Sequence, residues 1–167
     1  MQIFLTLAVF PVLMAYSAIS DLMTMTIPNR VSLALMLGFF VLAGLAGVGW
    51  HAVIVDHLTC GLCVLAVTFA LFAFGWIGGG DAKLAAATSL WIGWDHIADY
   101  GVSASLLGGL LTFSILVARR QPLPRFMASC TWIARIHDAN NGVPYGIALA
   151  VAGLALYPQS LIWSSAT

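Results

Sequence analysis

The chain has 167 residues, of which 62% are hydrophobic and 7% charged, with a mean hydropathy of +1.02; these values lie far outside those of soluble domains and place the chain in a lipid bilayer. Six Lys and Arg balance six acids, every one of them Asp, so net charge points neither to nucleic acid nor to a strongly acidic partner. Cys60, Cys63 and Cys130 are too few and too irregularly spaced for a disulfide framework and read as small packing residues.

A membrane span needs about 20 apolar residues to cross a core about 30 Å thick. The first such run, residues 3–19, lacks the basic segment of a signal peptide and reads as a retained helix. Asp21 follows it directly. Next, Ile27-Pro28-Asn29 reads as a helix stop and restart, with Pro28 near the first position of a second span over 31–50. The third run, 52–77, carries Asp56 and His57 near its start and ends at Gly78-Gly79-Gly80, followed by Asp81 and Lys83. Beyond these, the apolar stretch 84–94 is short for a full crossing. It is read as a fourth span, short or partly re-entrant, whose glycine segment lies at membrane depth against protein or water.

A fifth run covers 102–118. The connection 119–141 then holds Pro122 and Pro124, followed by Phe126, Met127, Cys130, Ile133 and Ile136 at helical spacing, which predicts one interfacial helix with Arg125 and Arg135 among lipid head groups. The last run is 143–163. The expected fold is therefore an all-α membrane protein, a single domain over 1–167 built as a polytopic bundle of about six transmembrane helices.

With six crossings, Arg30, Lys83, Arg119, Arg120, Arg125 and Arg135 all fall on one side. The opposite connections, near Trp50-His51 and over 95–100, contain neither Lys nor Arg. Basic residues concentrate at cytoplasmic helix ends, so both termini are expected outside and the side bearing Asp21 and Asp81 inside. A miscounted span would break this segregation, which supports the short fourth segment as a crossing.

An ionisable side chain at membrane depth is costly enough to mark function. Asp21 and Asp81 meet that condition at the same boundary. Two neighbouring carboxylates can hydrolyse a peptide without metal or covalent nucleophile: one, ionised, takes a proton from water, while its protonated partner polarises the scissile carbonyl. Close like charges resist joint ionisation, so such a pair titrates as a unit. Around Asp81, the glycines at 78–80 let a substrate strand approach. Lys83, the only lysine, either tunes the pair or anchors the helix end.

Other chemistries find little support. His51, His57, His96 and His137 are scattered without an HExxH pattern, and Cys60-x-x-Cys63 supplies at most half a metal site, so neither metal nor cofactor is expected. There is no Gly-x-Ser-x-Gly and no Walker-type phosphate loop. Asp56, Asp95 and Asp99 fall at the far face, and Asp138, beside Asn140 and Asn141, reads as an exposed turn.

Asp21 with Ile27-Pro28-Asn29, and Gly78-Gly79-Gly80-Asp81-Ala82-Lys83-Leu84, resemble the two motifs of type IV prepilin peptidases. Val143-Pro144-Tyr145-Gly146-Ile147-Ala148 is similar to the start of the last helix in short members serving Flp (tight-adherence) pili. The resemblance spans essentially the whole chain. It implies an aspartic endopeptidase of the bacterial cytoplasmic membrane, with Asp21 and Asp81 as catalytic pair. Gly78, Gly79, Gly80, Lys83, Pro28 and Asn29 form the supporting loops. The implied substrate is a prepilin with a basic leader and a hydrophobic helix, cut after a Gly at the cytoplasmic face. Long members carry an N-terminal methyltransferase domain with two Cys-x-x-Cys pairs; peptidase activity without methyltransferase is expected here. Presenilin-like proteases share Gly-x-Gly-Asp but carry Tyr-Asp at the first position, where this chain has Ser20-Asp21. Two alternatives outside the peptidases are a small proton-coupled transporter or channel, and a noncatalytic secretion-machine subunit.

Overall fold

The structure is a computed structural model describing residues 2–165, with side chains described from Leu7 onward except that of Arg125. Helix α1 runs over Gln2–Thr24 and α2 over Asn29–Leu45. The third apolar rod, Trp50–Ala73, is built from α3 (Trp50–Ala52), a π-helical stretch (Val53–Leu58) and α4 (Thr59–Ala73). α5 covers Gly79–Arg119, α6 Arg125–Ala128, α7 Thr131–His137 and α8 Gly146–Leu156; a 3-10 turn, Tyr157–Gln159, leads into α9, Leu161–Ser164.

α5 is two helices in one. At Gly93 the backbone adopts φ 71° and ψ −179°, outside the helical region and at a positive φ that side chains disfavour. A straight helix would hold Asp81 and Ala104 about 35 Å apart at 1.5 Å per residue. Instead, Asp81 and Ala85 line one cavity together with Tyr100 and Ala104, so the chain folds back at Gly93 into a hairpin. The buried His57 ring fills the space beside Gly93, where a Cβ would come within 2.9 Å of its Cε1. His57 Nδ1 also lies 2.8 Å from the Leu90 carbonyl oxygen, and this bond secures the bend.

Divided at Gly93, the chain forms a polytopic helical membrane bundle with the six passes expected from sequence. Four helices are long and apolar enough to span by themselves when α5 is counted once, and α2 is a shorter apolar helix. The first arm of α5, about 21 Å long, is the predicted short segment. Every residue from 84 to 93 is buried, Thr88 and Ser89 being the only polar side chains among them; a helix so enclosed by protein can be shorter than one that faces lipid.

Small side chains allow that enclosure. Ala82, Ala85, Ala86 and Ala87 of the first arm, and Ala148, Ala150 and Ala152 of α8, are buried at helix contacts, where close backbone approach replaces the hydrophobic drive that lipid does not supply. Away from the Asp21 end, Phe10, Phe39, Trp91 and Tyr157 form an aromatic cluster: Phe10 stacks on Tyr157 at 4.6 Å and lies 4.9 Å from Trp91. Trp91 donates its indole N–H to the Leu35 carbonyl at 3.0 Å. Outward, Phe69, Leu106 and Phe113 are exposed, as lipid-facing side chains should be.

Several boundaries differ from the sequence expectations. α2 ends five residues early and α4 four residues early, because Gly47 and Gly75 take positive φ and close the helices with paired bonds, Val48 and Gly47 N–H to Ala43 and Gly44, Trp76 and Gly75 N–H to Leu71 and Phe72. The last span breaks at Pro158. The single interfacial helix predicted near 126–136 is two short helices: Cys130 is extended, and Ser129 turns its hydroxyl onto the Phe126 carbonyl at 2.8 Å, which ends α6.

Candidate active site

One end of the bundle collects the C-terminus of α1, the N-termini of α2, α5 and α8, and the 119–142 connection. Asp21 occupies the last turn of α1 and is 5% exposed. Its Oδ2 accepts a hydrogen bond of 2.7 Å from the Gly146 amide, one of the first N–H groups of α8, which has no intrahelical acceptor. The approach requires glycine: a Cβ at 146 would stand 2.8 Å from that oxygen and 2.7 Å from Ile27 Cδ1.

Asp81 lies in the first turn of α5, where Gly78 is the extended N-cap and Gly79 and Gly80 open the helix. The positive ends of two helix dipoles therefore converge on this region, α8 at Asp21 and α5 at Asp81. Ile27 links the two acids' surroundings, packing against Gly80 beside Asp81 and against Gly146, which holds Asp21. Asp81, Tyr145 and Tyr100 line one cavity.

The loop residues expected to support the pair meet one another. Pro28 is the N-cap of α2, and Lys83 Nζ donates to Asn29 Oδ1 at 2.9 Å. Gly80 packs on Ile27, whose Cβ would be 3.2 Å from a Cβ at 80. Lys83 thus ties the two motif segments together. From the far side, Arg119 donates from Nε to the Ile136 carbonyl and from one terminal nitrogen to the Asn141 and Gly142 carbonyls, and Arg135 donates to the Met23 carbonyl at 2.6 Å. These bonds fold the 119–142 connection against the α1 end.

Asp138 is exposed and held by the Asn140 backbone amide and by the side chains of Asn140 and Asn141, an Asx-type turn. Asp56 and Asp95 lie together at the opposite end, around a cavity with His57 and His96, and Asp99 pairs with His96 at 3.7 Å. All three cysteines are free. Among the described residues no cluster of three or more His, Cys, Asp or Glu could hold a metal ion.

Two residues of this region were given no role from sequence. The Gly146 amide holds Asp21, and Tyr145 reaches across to donate to the Ala104 carbonyl at 3.1 Å, its ring lying where Gly108 has no side chain. The available signals were the likeness of 143–148 to a family helix start and Pro144 immediately before it, which marks free N–H groups beyond.

Fold and site together define a polytopic helical membrane protein with two carboxylates gathered at one end of its bundle. A sequence model of the type IV leader peptidase family matches residues 8–113, and the chain belongs to that family. The matched region includes Asp21, Asp81 and both loop motifs, and it makes the chain a membrane peptidase rather than a transporter. No curated protein and no solved structure matches the chain.

Proposed function

We propose that this protein is an aspartyl endopeptidase that removes the basic leader of type IV or Flp prepilin-like precursors, cutting after a Gly at the cytoplasmic membrane face with Asp21 and Asp81 as a catalytic dyad. The observation that carries the reading is the placement of two carboxylates, remote in sequence, at one end of the bundle, where Ile27 packs against both Gly80, next to Asp81, and Gly146, whose amide holds Asp21. In this mechanism one proton is shared. The ionised carboxylate takes a proton from water as the oxygen attacks the scissile carbonyl, and the protonated partner hydrogen-bonds the developing oxyanion. Collapse of the tetrahedral intermediate returns a proton to the leaving amine. Gly146 and the start of α5 hold the carboxylates in place, with no metal or cofactor in the scheme.

The test is co-expression of a Flp-type prepilin with the wild type, Asp21→Asn and Asp81→Asn, following the size of the pilin. Wild type should give the shortened product, and each Asn variant should leave the precursor, with cleavage reduced on the order of 10³-fold or more, as when a residue of a catalytic unit is removed. Processing by both variants at the wild-type rate would falsify the dyad.

A further inference from the structure

Two cavities meet at the candidate site, and their walls differ. One, of about 480 Å³, lies between α4 and the second arm of α5; its walls include Val67, Leu71, Tyr100, Gly101, Asp81 and Tyr145. The other, of about 590 Å³, lies at the bundle end among Gly75, Trp76, Gly78, Gly142, Asp81 and Tyr145. Ile77, Asp81 and Tyr145 belong to both. Resting on the leader-peptidase reading above, we propose that the substrate crosses both cavities, its apolar segment in the cleft between α4 and α5 and its basic leader in the glycine-lined cavity, with the scissile bond at Asp81 and Tyr145.

Chemistry assigns the halves. The cleft is walled mainly by aliphatic side chains and bounded by α4, whose fully buried residues, Cys60 and Gly61, lie at the end away from Asp81; nearer Asp81, α4 touches the first arm of α5 through the Thr68 hydroxyl, which donates to the Ala82 carbonyl at 3.3 Å. Val67 and Gly101 are exposed, so the cleft is open toward lipid, the phase from which an apolar helix would arrive. The second cavity contains no Lys or Arg, and its one ionisable carboxyl is Asp81; a cationic leader meets no repulsion there. Each cavity falls in the range of about 300–1,000 Å³ typical of ligand sites, enough for the few residues flanking a cut.

A rival groove of about 280 Å³ runs between α2, α4 and the first arm of α5, past Met36, Leu62 and Leu90, but Lys83 lines it and Asp81 does not. It offers a cation to a basic leader and no carboxylate to a scissile bond.

Gly101 provides the test, because nothing lies within 4 Å of where its Cβ would be. Gly101→Phe should therefore fold normally while obstructing the cleft, lowering prepilin kcat/KM at least about 10-fold, the effect of losing little more than one hydrogen-bond-sized interaction in the transition state. Gly109→Phe, at an equally open position on the same helix, should cleave as wild type. In full-length Asp21→Asn protein with uncleaved prepilin, a photo-crosslinker at Val67 should capture the pilin's apolar segment, and one at Leu62 should not. Failure of the wild type to cleave would remove the peptidase reading and this one with it. Wild-type cleavage accompanied by unimpaired Gly101→Phe, or by crosslinks from Leu62 instead of Val67, would overturn the substrate path alone.

Discussion

The contact between Asp21 and the Gly146 amide shows what one backbone group can do for a buried carboxylate. Gly146→Ala would thrust a methyl to 2.8 Å from Asp21 Oδ2 and break the 2.7 Å bond. Hydrogen bonds to charged groups contribute about 1.5–3 kcal/mol, so cleavage should fall roughly 10- to 100-fold, measured as the rate of precursor loss in membranes with matched protein levels. A rate unchanged by the substitution would show that Asp21 needs no such support. The carboxylates themselves were legible in the sequence, because a charge beside an apolar run is conspicuous. The amide that holds one of them was not: a peptide N–H has no letter of its own, and only the fold reveals which helix start faces Asp21. Lys83 was legible as a lone cation but not as the partner of Asn29, since that pairing joins two loops from different parts of the chain.

At the level of elements, the α5 hairpin depends on a single backbone conformation. Gly93→Ala forces a Cβ into a backbone conformation that essentially only glycine adopts, at a cost of about 1–3 kcal/mol, and against the His57 ring at 2.9 Å. The variant should lose its monodisperse peak in detergent at a lower temperature than wild type, and a midpoint equal to wild type would contradict the strain argument. Arg119→Ala should free the 119–142 connection from its three carbonyl contacts, visible as faster limited proteolysis within that connection; an unchanged digestion pattern would mean that Arg135 alone suffices. Helix existence was readable throughout from apolar runs. Boundaries were less so, because closure at Gly47 and Gly75 turns on φ values that composition does not specify, and the split between α6 and α7 turns on one serine hydroxyl competing for a helix carbonyl.

For the whole molecule, the decisive sequence signal was the placement of six cations. Folded, Lys83, Arg119 and Arg135 bond to groups at the Asp21 end, while the far end is built from Trp50, His57, Trp94 and the α9 region without a Lys or Arg. A reporter fused after Ala118 should therefore report from the cytoplasm, and one at Thr167, which lies outside the described residues, from the exterior. The reverse pattern would place the carboxylates across the membrane from a basic leader. This orientation argument also recovered the short fourth pass, which length alone would have discarded; its full enclosure by neighbours explains how fewer residues than a lipid-exposed span requires still make a crossing.

The family match ends at residue 113, yet the amide that steadies Asp21 belongs to residue 146. The two acids thus come from the matched stretch of the chain, and the grip on one of them comes from beyond it. Exchanging residues 120–165 between relatives should consequently act as a tuning dial, altering turnover while the acids themselves stay untouched.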